Sequence, residues 1–263
     1  MILALLSVKL FKNVSMFIMK APRLKDSKKS LGNEPFPLNE PTDEIITKIG
    51  AYLVYLIYSG QKDLSGNAWG DAFAYAIDGT HLESPCGIAD VIYKSMAWSL
   101  KTVKLTNIDA KTVRLISGRC SPDFSYGIQN PHEDVQKTGT AVLGIWNERV
   151  NIAQEFYSPV RTGILLRNYE LTEFCYFEEE NHRFRVSDYR WEVNKNGNLI
   201  GIEEASGRHC FTWQPHGSQF TMLVDVPVHA IRFKVKTPPK LNCERVLRDL
   251  QFDKSWVEII KSK

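Results

Sequence analysis

The 263-residue sequence predicts an α/β or α+β fold: a core of mixed helices and strands followed by appended strands. Three observations carry this. Apolar residues at helical spacing occupy residues 43–59 and recur in a long central segment. Short apolar runs bounded by Ser, Pro or Asn lie between them. The last third is mostly of strand type, which places helices and strands in one layered core with a β-rich continuation. Hydrophobic content of 43% and charged content of 24% exclude a disordered or collagen-like chain. No apolar run reaches the ~18 residues of a membrane helix.

Residues 1–42 read as a flexible N-terminal arm, polar and carrying prolines at 22, 35, 37 and 41. The opening MILALLSVKLFK lacks a basic region before its apolar stretch and a clear small-residue cleavage site, so no secretory leader is expected. Thr42 or Asp43 caps a helix running to about Ser59, with Ile45, Ile46, Ile49, Leu53, Leu56 and Ile57 on one face. A short helix is expected over Trp69–Ile77, ended by Asp78-Gly79. Strands follow at Ile88–Tyr93, Ala97–Leu105 and Val113–Ile116. Glu133–Phe156 has helical spacing, which Gly139 and Gly144 weaken. Gly163–Arg167 and Glu173–Glu178 are strand-like. Residues 43–170 form the expected core, and 171–263 a β-rich extension packed on it. In that extension Trp191–Val193 and Leu199–Ile202 flank an Asn196-Gly197 turn. His209–Trp213, Gln219–Val224 and Ala230–Val235 are further strands, and Leu241–Leu250 is a terminal helix.

Net charge is +3, but residues 1–40 carry +4 and the remainder −1. The body is not uniformly basic, so any contact with a polyanion must use a local surface. Five cysteines, odd in number and with no C-x-x-C pair, argue against structural zinc. They read as small buried residues in a reducing, cytoplasmic compartment.

The chemical content lies in Gly87-Ile88-Ala89-Asp90-Val91-Ile92-Tyr93 and Trp98-Ser99-Leu100-Lys101-Thr102-Val103-Lys104. Ser99 and Lys101 are two apart and share a strand face, while Leu100 points to the opposite one. A turn near Lys94–Met96 would set Asp90 beside Lys101. Asp90 then offers oxygen to a hard divalent cation such as Mg²⁺, and Lys101 an ammonium to the attacking water or to charge developing on a phosphate.

These residues resemble the PD-(D/E)xK nuclease superfamily, which includes many type II restriction endonucleases. Asp90 matches the first acid and Ser99-Leu100-Lys101 the acid-x-Lys element. Two departures stand out: Ala89 replaces the usual Pro, and Ser99 the second acid. Some restriction endonucleases are similar in having Ser there and a carboxylate supplied by the next helix. The resemblance implies a restriction-endonuclease-like mixed sheet flanked by helices, and a Mg²⁺-dependent endonuclease that cuts double-stranded DNA at a short sequence as a homodimer. It needs no nucleotide cofactor and no membrane. Asp90, Ser99 and Lys101 would be catalytic, and Asp90 with Glu133 or Glu148 would hold the metal. Glu83 and Asp71 are further carboxylate candidates. A structure-specific repair or nicking nuclease, and a non-catalytic DNA-binding module, are the alternatives. An ordinary cross-strand ion pair is the plainest reading of Asp90 and Lys101.

Arg119, Asn130 and His132 lie in a polar stretch that can reach DNA. In Phe211–Phe220 the polar Gln214, His216, Ser218 and Gln219 sit between aromatic anchors, and Gln can read adenine. Arg119, Asn130, Gln214, His216 and Gln219 are therefore the DNA-binding candidates. Pro122-Asp123 reads as a turn start, Glu178-Glu179-Glu180 as an exposed charge run, and His132-Glu133-Asp134 as a helix cap. No Walker A, G-x-S-x-G, G-x-G-x-x-G or H-E-x-x-H motif occurs.

Overall fold

The computed structural model describes residues 34–260. The first helix, α1 (Asp43–Tyr58), starts where Thr42 Oγ1 accepts the Ile45 N–H at 3.3 Å, and Asp43 and Glu44 complement its N-terminal dipole. Ile45, Ile49, Leu53 and Leu56 form its buried stripe. The second, α2 (Gly66–Ile77), begins a turn earlier than expected because Ser65 caps it. It ends at Asp78 in the left-handed region.

Two sheets follow, built from β1 (Thr80–Cys86), β2 (Ala89–Tyr93), β3 (Met96–Lys104), β4 (Thr112–Arg119), β5 (Val160–Arg167), β6 (Glu173–Glu180), β7 (Tyr189–Val193), β8 (Leu199–Glu203), β9 (His209–Gln214), β10 (Gln219–Asp225) and β11 (Ile231–Lys234). The first has the order β1-β2-β3-β5-β6-β11, mixed because β3 and β5 are parallel while their neighbours are antiparallel. The second is antiparallel, in the order β4-β10-β9-β8-β7. Residue 170 therefore does not divide a core from an extension. β6 and β11 complete the first sheet, and β4 belongs to the second.

The remaining helices are α3 (Pro122–Tyr126), α4 (Val135–Phe156) and α5 (Cys243–Asp249). Pro122-Asp123 opens α3 behind a Ser121 cap rather than starting a turn, because Pro is pre-set for the first helical position. Asp134 caps α4 by accepting the Lys137 N–H at 2.8 Å, so the His132–Asp134 run does end in a cap. The parallel β3–β5 connection runs through β4, α3 and α4.

Both faces of the first sheet are covered. On one, α1 and α2 pack over Val91, Trp98, Leu100, Leu165 and Tyr176. On the other, α4 buries Val142, Trp146 and Val150 against Ala89, Ala97 and Val160, and against Trp191, Phe211, Trp213 and Phe220 of the second sheet. Gly139 has its purpose here: a Cβ would fall 2.1 Å from the Trp191 ring, so only glycine lets the indole lie on the helix.

Strand alternation also corrects the reading of Glu178–Glu180. Glu178 shares the α1/α2 face with Tyr176 and is buried, while Glu179 and Glu180 are exposed. Glu178 accepts Trp98 Nε1 at 2.7 Å, the Tyr176 hydroxyl at 2.8 Å and Arg161 Nη1 at 3.2 Å. Arg161 also donates to Glu34 and to the Phe36 carbonyl, and Asn39 pairs with Glu178. Residues 34–39, assigned to a flexible arm, are thus tied into the core; residues 1–33 of that arm lie outside the described residues. The cysteines are all free thiols; Cys120 and Cys175 are buried, whereas Cys243 is exposed, against the expectation of burial. Among the described residues no helix is long and apolar enough to cross a membrane.

Candidate active site

β2 and β3 form a hairpin through Lys94-Ser95, with Val91 paired to Trp98. One step beyond that pair the backbone ladder ends, and the Asp90 carboxylate takes over. Its Oδ2 accepts the Leu100 N–H at 2.7 Å, Ser99 Oγ at 3.4 Å and Lys101 Nζ at 3.4 Å. Lys101 Nζ also donates to Ser99 Oγ at 2.9 Å and to the Leu100 carbonyl at 3.1 Å. The three residues expected from sequence are therefore in mutual contact on the face that turns toward α4.

Ser99 is buried, whereas Asp90 and Lys101 keep 24% and 21% of their side-chain surfaces exposed. The pair is recessed but open to solvent on one side. Burial pushes the Lys101 pKa below the ordinary lysine value. The Asp90 charge and hydrogen bond oppose this, and the like charge of Arg149 adds to it.

Asp90 lines a cleft of about 350 Å³ with Asn67, Asp71, His81, Leu82, Glu83 and Pro85. Asp71 comes from α2, where its Oδ1 lies 2.7 Å from His81 Nδ1. Glu83 comes from β1, an element with little sequence signal: it is an edge strand containing Pro85, and its pairing with β2 is irregular between His81 and Cys86. Asp71 and Glu83 thus share a cleft with Asp90.

Glu133 and Glu148 do not. Glu133 is exposed in a separate cleft of about 460 Å³ with Tyr126, Asn130, Asp134 and Lys137. It precedes the α4 cap, sixteen residues from Arg149 and so roughly 24 Å along the helix. Glu148 is exposed and accepts from Asn151. The phase of α4 explains this: Trp146 and Val150 define the buried stripe, Arg149 lies at its border, and Glu148 is turned about 100° further toward solvent. Among the described residues no three His, Cys, Asp or Glu side chains converge tightly enough to hold a metal ion. The donor chemistry of the Asp90 cleft nevertheless fits Mg²⁺, which binds through one or two carboxylates and keeps several waters.

The DNA-binding candidates separate into two groups. Gln219 pairs with Arg119 on one side and with Gln214 on the other, which puts all three in one cross-strand row at the end of the second sheet. His216 is exposed in the β9–β10 turn beside them. Asn130 is elsewhere, in the Glu133 cleft, with its side-chain oxygen accepting the His132 N–H at 3.2 Å.

Sequence reasoning passed over Arg149. It donates to the Ser117 carbonyl at 3.3 Å. The available signal was a lone cation between Trp146 and Val150 on a helix otherwise apolar along that border. Comparison of the chain with protein-family models, curated proteins and solved structures gave no match.

Proposed function

We propose that this chain is a metal-dependent endonuclease of restriction type that hydrolyses phosphodiester bonds of double-stranded DNA. One observation carries the reading: Asp90, Ser99 and Lys101 meet within 3.4 Å in a recess that an acidic cleft continues. Asp90 would hold Mg²⁺, with Glu83 or Asp71 as the second carboxylate. The bound ion would supply Lewis acidity toward a phosphoryl oxygen and an acidified water. Lys101, fixed by Ser99 and by the Leu100 carbonyl, places a positive donor beside Asp90, where it orients a water and offsets charge developing on phosphate. Ser99 carries no charge and serves to hold the ammonium. Arg119, Gln214, His216 and Gln219 would face the DNA. Two strands to cut call for two sites, and hence a homodimer.

The experiment is incubation of the purified chain with Mg²⁺ and phage DNA. Discrete fragments are expected, with loss of at least about a hundredfold in rate for D90A and K101A, the scale of one electrostatic contact in the transition state. Intact DNA across several substrates and divalent metals would overturn the reading. Cutting confined to branched or single-stranded substrates would move it to the structure-specific alternative.

A further inference from the structure

We propose that the connection between β6 and β7 carries a docking groove for the phosphodiester backbone of a nucleic acid, with Arg183 and Arg185 as its phosphate contacts. The choice of nucleic acid as the polyanion rests on the nuclease reading; the groove itself is separate from the Asp90 cleft.

The loop is pinned at its centre. Residues 181–185 read Asn-His-Arg-Phe-Arg. Asn147 of α4 holds Phe184 by both backbone groups: its Nδ2 donates to the Phe184 carbonyl at 2.8 Å, and its Oδ1 accepts the Phe184 N–H at 2.8 Å. The amide thus takes the place of a neighbouring strand. The Phe184 ring packs among the aromatics of the second sheet, 4.8 Å from Phe211 and 6.0 Å from Tyr189 between centroids. Gln154, one helical repeat further along α4, donates from Nε2 to the Asn181 carbonyl at 3.2 Å. Phe184 and Val186 pack inward while Arg183 and Arg185 are exposed, the alternation of an extended chain. Both arginines therefore leave the same side of the loop, with Cα atoms about 7 Å apart.

Charge points to the ligand. The groove has a volume of about 540 Å³ and is lined by Asn147, Gln154, His182, Arg183, Phe184 and Arg185, with no acid among them. Among the described residues no carboxylate oxygen lies within 4.0 Å of either guanidinium. The other arginines of β5, β7 and the β8–β9 turn are paired: Arg161 with Glu178, Arg167 with Asp63, Arg190 with Glu192, and Arg208 with Asp225. Glu148, Glu155 and Glu180 each adjoin a groove or anchoring residue in sequence, yet none closes on Arg183 or Arg185. A guanidinium presents a planar fork of donors that matches phosphate oxygens, and two of them at this spacing suit successive phosphates of one strand. A lipid surface is the poorer fit, because the one apolar lining residue, Phe184, is committed to the aromatic cluster and leaves no side chain to insert. The loop also leaves the first sheet on the face that holds Ser99. Thr162 pairs with Ser99 across β3 and β5, and its hydroxyl donates to Asn181 Oδ1 at 2.9 Å. That sets the start of the loop two strands, or roughly 10 Å, from Ser99.

The test is equilibrium binding of the full chain to a labelled DNA duplex in EDTA across a salt series, for wild type, R183Q/R185Q and the charge-matched control K236Q/K240Q. Each phosphate contact contributes close to one unit to the slope of log K against log salt. R183Q/R185Q is expected to bind at least about tenfold more weakly, with the slope shallower by about two, while the control keeps the wild-type slope. A wild-type slope in R183Q/R185Q, or an equal loss in the control, would overturn the proposal. So would wild-type binding to phosphatidylserine vesicles with none to duplex. Thermal melting checks that the variants fold. Should R183Q/R185Q fail to fold, phenylglyoxal labelling of wild type decides: protection of Arg183 and Arg185 by bound duplex supports the contact, and unchanged labelling overturns it. Mg²⁺-dependent cleavage by wild type, run in parallel with D90A, separates this proposal from the nuclease reading. Cleavage with an unchanged slope in R183Q/R185Q sinks only the groove, whereas a shallower slope without cleavage sinks only the nuclease.

Discussion

Asp90 accepts three donors on one oxygen, and one of them is a backbone N–H beyond the end of its ladder. A cross-strand ion pair was the plain expectation; the backbone hydrogen bond ties the carboxylate to the strand itself. Replacement by Ala should therefore cost stability as well as activity, about 1–3 kcal/mol for the unsatisfied Leu100 N–H. Urea unfolding of D90A checks this, and a midpoint equal to that of wild type would show that the bond contributes nothing. Glu179 offers a pH test. Its carboxyl borders a recess of about 230 Å³ with His182, Tyr189, Arg208 and Asp225. Although much of the residue is exposed, partial desolvation of its carboxyl in this recess, then the Asp225 charge, raises its pKa from 4.5 to about 7, against the pull of Arg208. The folded state thus holds the proton more tightly than the unfolded state, and the stabilisation falls as pH rises from 4.5 to about 7. E179Q lacks this loss, so its melting temperature should rise relative to wild type over that window and level off above it. Solvent screening keeps the gain near or below about 1 kcal/mol. Parallel melting curves for the two proteins would refute the shift.

At the scale of elements, α4 joins the two sheets. Its 22 residues lie between the sheets, and its phase decides which side chain meets β2 and β3. Glycines that weaken a helix on propensity are here contact points. G139A should destabilise by about 1–3 kcal/mol through overpacking on Trp191, despite the higher helix propensity of Ala. An unchanged or higher denaturation midpoint would mean that Trp191 moves aside freely. β1 is the opposite case. It brings Glu83 and His81 to the cleft, yet bulging and Pro85 remove the alternation by which a strand is recognised in sequence.

Across the whole molecule, the buried Arg161–Glu178 pair joins residues 34–39 to β5 and β6 of the first sheet. Arg161 and Glu178 have 3% and 0% of their side-chain surfaces exposed. Burial raises the Glu178 pKa, with Arg161 the largest opposing influence. R161M should cost about 3–5 kcal/mol by leaving that carboxylate unpaired. R161M/E178Q should recover a substantial part, because the uncompensated charge is gone. Equal unfolding midpoints for the single and double variants would show that the loss is one of packing.

Periodicity alone determined the helices α1, α2 and α4 and most of the strands, because one-sided burial imprints periods of 3.6 and 2 on the sequence. Spacing also determined that Ser99 and Lys101 share a face. Tertiary structure decided the rest. Which sheet a strand joins depends on partners distant in sequence, so the first sheet takes β6 and β11 while β4 joins the second. Glu178 is indistinguishable from Glu179 in a run of acids until strand alternation and a distant arginine bury it. Which carboxylate lies near Asp90 depends on the rotation of α4 and on an irregular edge strand. A local pattern records what a residue's immediate neighbours require, whereas a site assembled from α2, β1, β2 and β3 is fixed by packing between elements.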